Sequence, residues 1–164
     1  MFTALITSLI VCIIEFLVII IASPLAKPKL VLKFLPEDIR IKGSKHPEPP
    51  LYKQMIAHFL LSIFLISYLG AIIFLGKDGL NKKNYGFWNF FFRYMIFFYF
   101  NKFYDIIVQD QWLVMSTNFF KNIYPETIQC KGWKDRKFNN KNQIKRIIIF
   151  PFICLLISGI CVIL

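Results

Sequence analysis

Apolar residues in this chain come in unbroken blocks, not at helix or strand spacing. The first block, TALITSLIVCIIEFLVIIIA from Thr3 to Ala22, holds a single ionisable residue, Glu15. A segment of about 20 such residues can cross a bilayer as a helix, where every backbone polar group must be satisfied within the segment. Three further blocks have this character, at about 55–75, 86–110 and 147–164. The expected fold is an all-α integral membrane protein. Four transmembrane helices form a bundle, and residues 1–164 make a single membrane domain.

Composition agrees with the blocks. Hydrophobic residues make up 57% of the chain and mean hydropathy is +0.56, above the roughly half-apolar level of soluble domains. The 19 phenylalanines are an excess that lipid-facing helices tolerate. Net charge is +11, which in a soluble protein would point toward nucleic acid or an acidic partner. In a membrane protein, basic residues instead collect in cytoplasmic loops and meet anionic headgroups, so nucleic acid is not an expected partner.

The basic residues are unevenly placed. Loop 23–54 carries Lys27, Lys29, Lys33, Arg40, Lys42, Lys45 and Lys53; loop 116–146 carries Lys121, Lys131, Lys134, Arg136, Lys137, Lys141, Lys145 and Arg146. The short segment between the second and third blocks has only Lys77, Lys82 and Lys83. The positive-inside rule puts the two richer loops in the cytoplasm and both termini outside, in a multi-pass cell-membrane protein. The first block lacks the charged n-region of a signal peptide, and its apolar run is too long for one, so it is expected to stay as a helix. The terminal CVIL fits a C-a-a-X pattern, but its Cys161 sits inside an apolar run.

Loop 23–54 has a pattern of its own. Leu30, Leu32, Phe34, Leu35 and Ile39 alternate with basic residues, and Pro36-Glu37-Asp38 is a helix-start signal. Two readings stand: a short amphipathic helix on the membrane surface, or a solvated basic loop. The four cysteines, Cys12, Cys130, Cys154 and Cys161, form no C-x-x-C pair and are expected as small buried hydrophobes. No metal site or cofactor is expected.

Ionisable groups inside a span are costly and are therefore functional candidates. At ~1.5 Å per residue, Glu15, His58, Lys102 and Asp105 fall at compatible depths in the cytoplasmic half. They are the expected intramembrane polar cluster, with Arg93, Asn101 and Asp110 as secondary candidates. Arg93 lies nearer the outer surface and is expected to snorkel there, or to pair with Asn89 and a second chain. On a regular helix Asn101, Lys102, Asp105, Gln109 and Trp112 share an arc of about 100°, whereas Asp110 sits about 140° from Asp105. The two aspartates are then unable to share one small site. Trp88 and Trp112 suit the two interfaces. The aromatic stripe of Phe87, Phe90, Phe91, Phe97, Phe98 and Tyr99 reads first as lipid contact, with helix packing second.

Two functional classes remain. The first is an oligomeric transport or channel-type subunit, or a partner subunit, with Glu15 as a proton or cation site; its small size calls for a homo-oligomer or a second membrane chain. The second is an embedded enzyme acting on a lipid or prenyl substrate at the cytoplasmic leaflet. No catalytic residue is assigned, since no nucleotide loop, zincin motif or nucleophile elbow is present. N-x-x-x-D-x-x-x-x-D is similar to the aspartate-rich motifs of membrane prenyl transferases. It lacks their D-x-x-x-D spacing and second motif, so that activity is not carried over. LPEDIR, HPEPP, NKFYDIIVQDQW and the later PET together resemble small uncharacterised four-span membrane proteins of low-GC bacteria. The resemblance implies a bacterial cytoplasmic membrane and no particular activity.

Overall fold

The computed structural model describes residues 1–83 and 85–163, which are helical with no strand among them. Four long helices are α1 (Phe2–Ala22), α4 (Leu51–Leu80), α5 (Phe87–Tyr104) and α7 (Asn140–Ile163). Three of them, α1, α4 and α7, are long and apolar enough to cross a membrane. Their outward faces are apolar: Leu9, Ile13 and Leu17 on α1, Phe59 and Ile66 on α4, Phe152 and Leu156 on α7. Helix α4 runs beyond its apolar block at both ends and α7 at one, because polar residues near a helix end can reach water.

The helix that buries the most charged side chains, Arg93 and Lys102, is the one the others enclose. α5 packs against α1, α4 and α7. Its buried residues recur at three- and four-residue intervals: Phe90, Arg93, Tyr94, Phe97, Phe98, Asn101 and Lys102. This corrects the first reading of the aromatic stripe. Phe90, Phe97 and Phe98 are 1%, 0% and 6% exposed and form the bundle core, not a lipid-facing surface. Buried aromatics there fill the volume among three helices, while Trp88 and Phe92 of the same run stay exposed.

Small residues set how closely the helices approach. α1 buries Ala4, Ser8, Val11, Cys12, Val18 and Ala22, a stripe that passes through Glu15. A Cβ at Gly79 of α4 would collide with the Phe90 ring, and one at Gly76 would lie 3.4 Å from Cys161 Sγ of α7. Tyr94 donates its hydroxyl to the Ile72 carbonyl at 3.1 Å and lies 3.6 Å from Cys161 Sγ. Helices α4 and α7 therefore meet at the end of the bundle that holds Met1 and Ile163. Pro151 inside α7 has no N–H for the carbonyl four residues earlier. That carbonyl, of Ile147, accepts the Tyr99 hydroxyl at 2.9 Å and ties α5 to α7.

At the opposite end the two basic loops build a cap. It contains α2 (Pro28–Leu32), α3 (Glu37–Gly43), α6 (Phe119–Ile123) and two 3-10 turns, Pro125–Thr127 and Lys131–Lys134. The short helix expected in loop 23–54 forms as α3, opening after Pro36 with Glu37 and Asp38 in its first turn, but its apolar side is buried against the other loop. Leu32, Leu35 and Ile39, the apolar half of the alternation, are buried against Phe120, Tyr124, Cys130 and Trp133 of the other loop. Asp38 accepts the Gly132 N–H at 2.8 Å, and Trp133 donates its indole N–H to the Thr127 carbonyl at 2.8 Å. His46 lies 3.2 Å from Glu126 and edge-on to Tyr124. All four cysteines are buried and unpaired. Cys161 of the CVIL tail belongs to α7; Leu164 lies outside the described residues.

Candidate functional site

Beyond Tyr104 the central helix changes its winding. Asp105–Val114 is a π-helix of 10 residues. Bonds of the i→i+5 type bring residue i+5 roughly one turn above residue i, an arrangement frequent at functional sites. This overturns the angular argument that separated the two aspartates. Asp105 and Asp110, five residues apart, both line one cavity, as do Asn101, Lys102 and Gln109.

The cavity has a volume of about 1220 Å³ and lies where the bundle meets the cap. Its bundle side is polar, with Glu15, Tyr68, Asn101, Lys102, Asp105, Gln109 and Asp110. Its walls are apolar: Val18 and Ala22 of α1, Leu61 and Phe64 of α4, Phe150 of α7. Its cap side is charged with both signs, Lys33, Arg40 and Lys131 beside Glu37, Asp38 and Asp135, joined by Arg146 at the start of α7. Helices α4 and α7, in contact at the far end, are thus held apart here. The far half of the bundle is filled by Ala4, Val11, Phe90, Tyr94 and Phe97.

Each polar residue of the site has a distinct attachment. Lys102, 4% exposed, is ion-paired with Asp105 one turn on. Asn101 donates its amide to the Phe97 carbonyl at 2.7 Å, while its Oδ1 lies 3.4 Å from the Cys12 thiol. Glu15 feels the charges of Asp105 and Lys102. Asp110 accepts the Asn139 amide at 3.0 Å and the Gln143 amide at 2.5 Å, both from α7 or the residue before it. Asp110 is half-buried, because the cap and α7 fold over it. Gln109 is 5% exposed, and neither its Nε2 nor its Oε1 has a hydrogen-bond partner.

Of the expected cluster, Glu15, Lys102 and Asp105 line the cavity, and so do Asn101 and Asp110. His58 does not; its Nδ1 lies 2.6 Å from the Gln54 carbonyl on its own helix. Depth matching placed His58 at the right level but carried no information on azimuth. Arg93 is also elsewhere, and it does not snorkel. It is 0% exposed, donates Nη1–H to the Leu75 carbonyl at 2.8 Å, and has Nη2 2.8 Å from Asp78 Oδ2. That last contact is one of opposite charges without hydrogen-bond alignment. The Tyr85 ring covers the guanidinium at 4.6 Å. The missed partner, Asp78, looked like part of a loop, but α4 extends through it to Leu80.

Gln109, Tyr68, Asn139 and Gln143 were also missed. Gln109 shares the helical arc of Asn101 and Lys102, a signal present in the sequence; the other three depend on which helices become neighbours. Among the described residues, no three His, Cys, Asp or Glu side chains are grouped to hold a metal ion. No family model, curated protein or solved structure matches the chain.

Proposed function

We propose that this is a four-span membrane protein, with α5 as the shielded fourth span, that holds the polar head of a membrane amphiphile at the cytoplasmic leaflet. The carrying observation is the cavity of about 1220 Å³, polar on its bundle side, apolar on its walls and lined by four basic and three acidic residues where the cap and the start of α7 cover it. Ligand pockets for small molecules run to roughly 300–1,000 Å³, so this volume suits a lipid headgroup with part of its chain. Leu61 and Phe64 of α4 and Phe150 of α7, on the walls of the cavity, supply apolar surface for the chain. An α5 of 18 residues spans about 27 Å at 1.5 Å per residue, close to the thickness of a hydrocarbon core. The basic cap favours the cytoplasmic face, where anionic headgroups also attract it.

The test is native mass spectrometry of the full chain released in mild detergent. A stoichiometric lipid adduct is expected in the wild type and absent from Leu61→Trp, which fills the wall of the cavity. A wild-type protein that carries no lipid and takes up none after delipidation sinks the reading. The same spectrum reads oligomeric state. A second reading, a proton or cation pathway in an oligomer or with a partner subunit, draws on Glu15 beside Lys102 and Asp105 at the cavity's inner end. The packed far half of the bundle counts against it.

A further inference from the structure

Resting on the reading of the cavity as an amphiphile site, we infer that its inner end recognises a polyhydroxyl headgroup, joined through a phosphate to the apolar chain. Gln109 is the residue that reads the hydroxyls. Gln109 lines the cavity at 5% exposure, and its carboxamide leaves both donor and acceptor without a partner. Leaving a buried polar group in that state is costly, so the natural occupant offers an acceptor and a donor side by side. A hydroxyl is both, and a vicinal pair meets the two ends of one carboxamide together.

The neighbours exclude simpler heads. A phosphate at this end would face Glu15, Asp105 and Asp110, with one ammonium, Lys102, already paired to Asp105. An alkylammonium head offers donors alone and leaves the Gln109 N–H groups without an acceptor. A bare cation has the same defect, and the described carboxylates are not grouped to ligate one. Hydroxyls suit every group present, since carboxylates accept from them and Gln109 both donates and accepts.

The phosphate belongs one layer outward. Lys33, Lys131 and Arg146 line the cavity there, and none of them makes an ion pair among the described residues, whereas the carboxylates beside them are engaged, Glu37 with Arg40, Asp38 with the Gly132 and Ile39 N–H groups and Asp135 with the Lys137 N–H. Leu61, Phe64 and Phe150 then flank the chain. The order of chemistry through the cavity is therefore hydroxyls, phosphate, hydrocarbon.

The experiment uses the delipidated full chain in detergent and two matched pairs of probes. The first pair is short-chain phosphatidylglycerol against phosphatidylmethanol, equal in charge but differing in the diol. The second is a polyprenyl-phosphate hexose against the bare polyprenyl phosphate. The hydroxylated member of one pair is expected to bind about tenfold tighter, and the pair that discriminates identifies a glycerolipid or an isoprenoid source. Q109L should reduce that preference to under about threefold while leaving phosphatidylmethanol or polyprenyl phosphate binding unchanged, which also reports that the variant is folded. Q109E, which keeps the acceptor and loses the donor, should fall between. Equal binding within both pairs, or a preference that survives Q109L, overturns the inference and leaves the amphiphile reading standing. Failure of all four probes to bind overturns both.

Discussion

A buried guanidinium needs its charge compensated, and Arg93 is held by three different groups although its Nε and Nη2 make no aligned hydrogen bond. The Leu75 carbonyl takes one donor, Asp78 supplies the counter-charge, and Tyr85 covers the face. Arg93→Ala should destabilise the detergent-solubilised protein by about 3 kcal/mol, because it leaves a cavity and a carboxylate without its partner. Thermal or denaturant unfolding checks this; a variant within error of the wild type would mean that Asp78 and Lys82, 2.9 Å apart, suffice without it. Tyr124 is the corresponding residue in the cap. At 1% exposure, burial pushes its phenol up to about 12, with the Glu126 charge adding to the effect. The ordinary phenol ionises near about 10, so the unfolded cap loses this proton first. Stability from neutral Tyr124 is present below pH 10 and falls away between about 10 and 12. Tyrosinate absorbance should rise together with a change in Trp133 fluorescence in that window, and Tyr124→Phe should delay the fluorescence change.

Among elements, the π-helix matters most, because it turns residues five apart onto one side. Asp105 and Asp110 line the same cavity for this reason, and Gln109 lies between them. Deletion of Ile107, which is 61% exposed, tightens the segment toward α winding and rotates the residues beyond it by about 100°. Asp110 then leaves Asn139 and Gln143. The expected result is a bundle of unchanged helicity by circular dichroism that no longer retains lipid. Retention of the adduct would show that the winding is incidental to the site. Helix α7 uses the opposite device: Pro151 removes one backbone donor, and Tyr99 of the neighbouring helix supplies the replacement. One helix thus gains a site by loosening its winding, and another gains an interhelical link by losing a bond.

For the whole molecule, the question is how two basic loops distant in sequence become one cover for the bundle. Their apolar residues share a core, and Asp38 carries the cross-link to Gly132. Asp38→Ala should weaken the cap by about 2 kcal/mol, the range for a hydrogen bond to a charged acceptor. Cys130 is 7% exposed, and burial raises its thiol above the ordinary value, so it should alkylate slowly in the wild type and markedly faster in Asp38→Ala. Equal rates would place the stability of the cap in its apolar core alone. The proposed threading has a separate check. Alkaline phosphatase fused after Leu164 should be active and a fusion within residues 131–137 inactive, and the reverse pattern would invert the topology.

Much of this protein can be read from its sequence, because a bilayer imposes a length and a composition on any helix that crosses it. Three of the four apolar blocks become long apolar helices, and Glu15, Lys102 and Asp105 stand out as costly groups with few places to go. The fourth block reads less clearly, since α5 is flanked by other helices and keeps polar side chains that a lipid-facing span would lose. Azimuth and partnership were decided by tertiary structure alone. His58 and Asp110 exchanged roles because α7 folds over Asp110, while His58 turns to its own backbone. Arg93 found Asp78 because α4 continues as helix past the apolar block. Hydrophobicity is a property of each segment by itself, so the chain carries it from the start. Which polar side chains meet depends on how helices wind and pack against one another, and no single segment contains that.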